Sequence, residues 1–271
     1  MVRPVLRQAA VLGAGAAGAE GAAHLAQMAL LSEPVKGRVR QAVFRAAETG
    51  ARVSARYHRA RLEGSRHLPR EGPALLVGNH GLWGYETPAF FSLVHGATGR
   101  YPVGLAEHGF FKIPLVRTVL PWLGGVKGTR ANAHAALQGG QLVVCYPGGA
   151  HETFKPRHRR YMLRWENALG FARLAAEAQV PVLPFAGFGV DETFAYPGDG
   201  RLGVQLASRE RHGDKYRMPV VMPLPLPVRL SFAVGEPLCP PPARARPAEL
   251  ARFRDAVAAT VRRLLAEACH A

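Results

Sequence analysis

The residues best suited to chemistry are a histidine and an acid six positions apart, in His80-Gly-Leu-Trp-Gly-Tyr-Glu86. A histidine whose far ring nitrogen is held by a carboxylate can take the proton of a hydroxyl, so that the oxygen attacks a carbonyl. The carboxylate fixes the tautomer and stabilises the imidazolium that forms. On a continuous helix, six residues at about 100° each would put the two side chains on opposite faces, so the pairing demands a bend. Gly81 and Gly84 supply the backbone freedom for one.

Three more blocks follow in order. Leu123-Gly-Gly-Val-Lys-Gly-Thr-Arg130 leads into a helical pattern. A Gly-rich turn carrying Lys127, Thr129 and Arg130 at a helix start can hold a phosphate through backbone N–H groups and paired charges, or can be an ordinary strand-to-helix turn. Leu142-Val-Val-Cys-Tyr-Pro-Gly-Gly-Ala-His-Glu152 runs from an apolar stretch into a tight turn at Pro147, Gly148 and Gly149. Its glycine amides suit a close approach to substrate or a developing oxyanion. Glu152 suits either an acceptor hydroxyl or the orientation of a basic partner, and His151 is accessory. Val180-Pro-Val-Leu-Pro184 is an apolar run whose prolines, Pro181 and Pro184, limit ladder bonding and predict an edge strand or irregular wall.

These turns need a scaffold of strands that deliver them. Apolar runs at 74–77, 102–105, 142–146, 180–185 and 228–234 read as buried strands. Helical patterns lie between most of them: one opened by Thr87-Pro88, one at 131–137 and one at 166–178. The alternation predicts an α/β fold, a mostly parallel or mixed central sheet flanked by helices, with functional residues on loops at strand ends. The segment from Tyr196 to Pro227 breaks the rhythm. Its second half, Met218-Pro-Val-Val-Met-Pro-Leu-Pro-Leu-Pro227, is uncharged and has too many prolines for a helix or a central strand. Such a loop either covers the core or dips into an interface. The stretch 247–268 closes the chain as an amphipathic helix through Leu250, Phe253, Val257, Val261 and Leu264 or Leu265.

Residues 1–61 read as a helical, membrane-docking extension ahead of a catalytic domain at 62–271. Within it, 9–31 is rich in Ala, Gly and Leu and about as long as the roughly 20 residues a membrane span needs, but Glu20, His24 and Gln27 interrupt it. A helix lying on a surface fits that pattern better than a span. From Val35 to Arg61, small or apolar residues at Val39, Ala42, Val43, Ala46 and Ala47 alternate with arginines, the pattern of an amphipathic helix with a basic face that packs on the domain or docks on a membrane.

The chain has 271 residues, and 35 basic against 19 acidic side chains give it a formal charge of +16. That excess attracts anionic lipid surfaces and phosphorylated cofactors. It attracts nucleic acid too, but no nucleic-acid-binding motif accompanies the charge, and nucleic acid is not expected as a partner. Cys145, Cys239 and Cys269 have no CxxC spacing and imply neither a disulfide framework nor a metal site.

Taken in order and spacing, the four blocks resemble those of the glycerolipid acyltransferase superfamily, over about 62–240. The details are most similar to the branch of diacylglycerol acyltransferases and their TMEM68-like relatives. Tyr146-Pro-Gly-Gly149 stands where phosphate-using members usually carry Phe-Pro-Glu-Gly, and Trp165 and Gly170-Phe171 match a downstream Trp and helix start. The resemblance implies His80 as catalytic base, with Glu86 in place of the usual Asp and one residue further away. It also implies Arg130 and the Gly–Gly block toward acceptor or carrier, and 180–184 bordering the site. Where a basic residue often stands, this chain has Ala168. The implied reaction moves a fatty acyl group from acyl-CoA or acyl carrier protein to a glycerolipid hydroxyl. The carrier is a co-substrate, and no other cofactor or metal is expected. The chain has no Gly-x-Ser-x-Gly elbow for a covalent route. Peripheral attachment to the cytoplasmic face of an anionic membrane is the expected setting. A lipid-binding protein without turnover is the first alternative, and a basic nucleic-acid-binding protein the second.

Overall fold

The computed structural model describes residues 33–112, 114–166, 168–195, 203–207 and 215–269, so the 9–31 stretch lies outside the described residues. Helices are α1 (Glu33–Tyr57), α2 (Thr87–Thr98), α3 (Pro114–Val119), α4 (Arg130–Gln138), α5 (Gly149–Thr153), α6 (Gly170–Ala178) and α7 (Pro247–Cys269). Strands are β1 (Arg61–Glu63), β2 (Ala74–Gly78), β3 (Val103–Ala106), β4 (Gly125–Lys127), β5 (Leu142–Cys145), β6 (Val182–Phe188), β7 (Gly203–Ala207), β8 (Lys215–Pro219) and β9 (Ser231–Val234).

Seven strands form one mixed sheet in the order β1-β9-β6-β2-β5-β3-β4. The run from β6 to β4 is parallel, whereas β9 pairs antiparallel with β6 and parallel with β1. Strand β2 sits in the interior and is buried along its whole length. Its side chains alternate between two apolar layers, as the period of a strand requires. Leu75 and Val77 pack with Phe171, Leu174, Val257 and Val261 of α6 and α7, while Ala74 and Leu76 pack with Phe90 and Val94 of α2 and Phe44 of α1. With both faces covered, the exposed rim is left as the place for chemistry, and the parallel strands β2, β5, β3 and β4 all end on the same rim.

The structure revises several expectations. Strand β6 is an interior strand despite Pro184. That residue faces β9 where the β6–β9 ladder ends: its carbonyl accepts from Gly235 N–H at 2.8 Å, and regular pairing begins one residue later at Phe185 and Val234. The missing proline N–H therefore breaks no ladder bond. Strands β1 and β4 add edges to the sheet, and β7 pairs antiparallel with β8 in a separate hairpin inside the segment read as irregular. Val204 and Leu206, Tyr216 and Met218 recur every second residue there, a strand pattern hidden among glycines and charges.

Helix α1 is packed against the domain, but on a different face from the one expected. Ala42 and Ala46 are exposed, and the buried positions are Phe44, Ala51 and, just beyond the helix, His58, seven apart. The ring of Phe44 meets Tyr101 edge-on at 5.1 Å. Strand β1, beginning at Arg61, joins the sheet beside β9. No helix among the described residues is long and apolar enough to cross a membrane.

Candidate active site

Strand β2 ends at Gly78, where a side chain would collide with the ring and carbonyl of Phe185, 2.6 Å from the position of a Cβ. Asn79 follows and is buried. Its side chain donates to Gly187 carbonyl (2.8 Å) and accepts from Gly187 N–H (2.7 Å), so it extends the β2–β6 ladder by one artificial pair. His80 comes next and leaves the strand with its orientation already fixed.

The bend demanded by the His80–Glu86 spacing is present. A single 3-10 turn spans Leu82–Gly84, and both Trp83 (φ 55°) and Gly84 (φ 69°) are left-handed. A left-handed bulky aromatic costs about 1–3 kcal/mol and persists only where its surroundings enforce it. Gly84 is required on two counts, because a Cβ there would lie 2.7 Å from His80 Cε1. The turn returns Glu86 to the imidazole, and His80 Nδ1 lies 2.8 Å from Glu86 Oε1. The same oxygen accepts from Gly81 N–H at 3.1 Å. With Nδ1–H donated to the carboxylate, Nε2 is left as the basic nitrogen on a side chain 16% exposed.

Glu86 directly precedes α2 and does not cap it. The helix N-terminus nonetheless favours negative charge at that point. Burial would raise the Glu86 carboxyl, but the facing His80 and the hydrogen bonds from His80 and Gly81 outweigh it and hold the group below its ordinary range. Glu86 is a carboxylate at neutral pH.

The main chain of His80 is gripped on both sides by buried charged groups. Glu152 Oε1 accepts from His80 N–H at 2.8 Å, and Lys155 Nζ donates to the His80 carbonyl at 3.2 Å. Glu152 is fully buried, and its other oxygen accepts from Arg164 N–H (3.1 Å) and Trp165 Nε1–H (2.8 Å). Burial raises its carboxyl, against the pull of Lys155 and these donors. Lys155 is paired with Asp191 at 2.9 Å, both almost wholly buried. Asp191 also accepts from Tyr161 N–H at 2.7 Å. The His80 ring stacks on Tyr146, with centroids 3.9 Å apart and planes 15° apart, and the Tyr146 hydroxyl is hydrogen-bonded to Thr87 at 3.0 Å. Burial pushes the Tyr146 phenol well above its ordinary value, so it stays neutral.

Pro147, Gly148 and Gly149 form the turn that carries α5 and Glu152 under His80. A Cβ on Gly148 would lie 2.3 Å from Glu152 Oε2, so glycine is needed to admit the carboxylate. Gly149 N–H is donated to the Tyr146 carbonyl at 3.1 Å, which removes it as an oxyanion donor. Glu152 itself is corrected from substrate contact to support, since both of its oxygens are already occupied.

The second block reaches the same rim three strands away, about 14 Å by strand spacing. Lys127 ends β4. The Thr129 hydroxyl caps α4 by accepting from Asn132 N–H at 3.2 Å, and Arg130 Nε donates to Glu177 Oε2 at 2.9 Å on α6, a carboxylate it shares with His134. Thr129 and Arg130 thus serve the helix packing and are not brought to His80. Pro181 is further off. Val182 pairs with Leu75, which puts Pro181 at the start of the sheet, about 20 Å along the strands from His80. Lys155, Asp191 and Tyr161 carry no local motif, and sequence reading missed them. Among the described residues, no group of His, Cys, Asp and Glu is placed to hold a metal ion.

The family model named Acyltransferase matches residues 59–187. The "DGAT1/2-independent enzyme synthesizing storage lipids" of Bos taurus is 31% identical over 210 residues, 77% of this chain and 60% of that protein. "Phytyl ester synthase 2, chloroplastic" of Arabidopsis thaliana is 31% identical over 132 residues, 46% of this chain and 19% of its own length. The chain thus spans about 60% of the bovine relative it matches. Among solved structures, the 1-acyl-sn-glycerophosphate acyltransferase PlsC of Thermotoga maritima superposes with a TM-score of 0.52 at 19% identity, covering 90% of this chain and 88% of that one, a likeness of fold. The match to the Acyltransferase family over residues 59–187, the similarity to the bovine lipid-synthesising enzyme and the shared fold agree with one another, and the chain resembles the glycerolipid acyltransferases in its blocks, its sequence and the course of its backbone.

Proposed function

We propose that the chain transfers a fatty acyl group from a thioester carrier, acyl-CoA or acyl carrier protein, to a hydroxyl of a glycerolipid such as a lysophospholipid, monoacylglycerol or diacylglycerol, with His80 as general base. The observation that carries this reading is the 2.8 Å contact between His80 Nδ1 and the buried Glu86 carboxylate. It leaves Nε2 as the proton acceptor on a ring that cannot reorient without breaking its stack on Tyr146.

In the proposed reaction Nε2 takes the acceptor hydroxyl proton as the oxygen attacks the thioester carbonyl. The tetrahedral intermediate then collapses, the C–S bond breaks, and the imidazolium returns its proton to the departing thiolate. Glu86 offsets the transient charge on the ring and remains ionised. Lys127, at the end of β4, is the cation we assign to the carrier or acceptor phosphate. A relative named for the synthesis of storage lipids favours an acylglycerol acceptor. We place the reaction at the surface of an anionic membrane, on its cytoplasmic face, with the chain bound peripherally.

The test is to offer the purified chain labelled acyl-CoA and acyl carrier protein separately, each with a panel of lysophospholipids, monoacylglycerols, diacylglycerols and long-chain alcohols. A labelled ester with one acceptor class is the expected result and names the substrate. Tight lipid binding without any ester would overturn the proposal in favour of a lipid-binding role.

A further inference from the structure

The proline-rich segment that ends the 196–227 stretch is held rigidly and faces outward with its apolar side chains. Val220, Met222, Leu224 and Leu226 are 46, 53, 76 and 40% exposed, every second residue of an uncharged run. Folding normally removes such groups from water, and a contiguous patch of them on a soluble surface marks an interaction site. The backbone beneath is tied down. Met222 N–H donates to Ala195 carbonyl (2.8 Å), Leu226 N–H to Thr193 carbonyl (2.7 Å) and Val228 N–H to Leu226 carbonyl (2.8 Å). From α1 and its end, the Tyr57 hydroxyl donates to Pro225 carbonyl (2.9 Å), and His58 Nδ1 meets Val228 carbonyl at 2.9 Å.

Three of the remaining residues in 222–228 are Pro223, Pro225 and Pro227, which have no N–H at all. A segment that exposes large apolar side chains while the backbone N–H is absent or bonded at six of its seven positions from 222 to 228 is suited to a solvent that cannot accept hydrogen bonds. The neighbouring surface is basic. Tyr57 and Arg59 touch the segment, Arg59 reaching Pro227 carbonyl at 3.4 Å, and on the last turns of α1 Val53, Arg56 and Arg52, the last paired with Glu48, are exposed as well. An apolar strip flanked by arginines is complementary to an anionic bilayer, with acyl chains for the strip and phosphates for the cations.

The strip also leads to the reacting histidine. Phe194 lies between the two residues that anchor it, Thr193 and Ala195, and packs edge-on against Trp83 (5.6 Å) and Tyr85 (5.2 Å). Trp83 is half exposed on the left-handed turn three residues after His80. The strip is thereby joined through one aromatic ring to the turn that holds His80.

We infer that 220–226, with Val53, Tyr57 and the arginines of α1, is the surface by which the chain inserts shallowly into an anionic bilayer beside its active site. The inference rests on the lipid-acyltransferase reading and identifies the surface that reading needs.

The test uses the full chain and vesicles of equal parts phosphatidylcholine and phosphatidylglycerol, with vesicles of phosphatidylcholine alone as control. The double variant M222S/L224S alters only exposed side chains. It should bind the anionic vesicles at least about tenfold more weakly, given the apolar area withdrawn. Unchanged binding overturns the proposal. Independently, Leu224→Trp should add fluorescence that lipids brominated along the acyl chain quench. Added fluorescence that is already blue-shifted without vesicles and insensitive to bromine would show the strip covered by another part of the chain or a second copy, and would also overturn it. Both readouts measure binding, so a chain that binds but forms no ester defeats the proposed reaction and leaves the docking surface standing.

Discussion

The turns after β2 and β4 are alike on paper and differ in three dimensions. Each is Gly-rich, ends a parallel strand on the same rim, carries cationic or titratable residues and feeds a helix. After β4, the polar groups serve the helix itself: Thr129 caps α4, and Arg130 ties α4 to Glu177 of α6. After β2, polar groups converge on one residue: Glu86 of the same turn on the His80 ring and, from 72 and 75 residues away, Glu152 on its N–H and Lys155 on its carbonyl. The turn after β4 is held by a local cap and an exposed ion pair, whereas the main chain of the turn after β2 is held by buried charged groups that burial alone would disfavour.

That contrast is open to breakage by substitution, and the largest effect should come at Glu86. Glu86→Gln keeps the shape but loses the charge that orients and stabilises the imidazolium. Acyl transfer should fall by about 10²–10⁴-fold in a steady-state assay, with little change in substrate KM. The pH dependence adds a sign. Glu86 is held below its ordinary 4.5, so the stability contributed by its ionised form is complete above that value and is lost as pH falls through the lower folded value. The stability gap between the parent chain and Glu86→Gln should therefore narrow only below pH 4.5.

Next is Lys155→Met, which leaves Asp191 and the His80 carbonyl buried without their cation. The loss should be about 3–5 kcal/mol in denaturant unfolding, with reduced activity in the fraction that remains folded. Thr129→Ala should cost about 1 kcal/mol through the lost cap and leave transfer essentially intact. Arg130→Gln should do least, below about 1 kcal/mol, because Arg130 is 64% exposed and water screens its pair. A large fall in transfer with Arg130→Gln would remove the distinction between the two turns and restore Arg130 to the substrate.

Legibility in the sequence followed the same division. The His80–Glu86 contact was readable because its ingredients lie within seven residues: two glycines, a required bend and a helix start at Thr87-Pro88. The interior strands were readable as apolar runs, since both of their faces are covered. Lys155 and Asp191 were not readable, because nothing local marks a lysine 75 residues from the carbonyl it holds. Glu152 was found as a residue of interest, but its direction, inward to a main-chain N–H, depends on packing against Trp165. Pro184 misled because a proline forbids only the bond its own N–H would make, and β9 stops short of that point. On α1 the small residues suggested one face, while the buried aromatic, Phe44, decided which face packs on the domain.

The central claim is that His80 is the base, and His80→Ala tests it most directly. The side chain is partly exposed and its removal should leave the fold intact, which a thermal melt can verify. In purified protein of unchanged melting temperature, transfer from the thioester to the acceptor hydroxyl should fall by about 10³-fold, equivalent to about 4 kcal/mol of barrier. Transfer at the parent rate by a folded His80→Ala chain would contradict it.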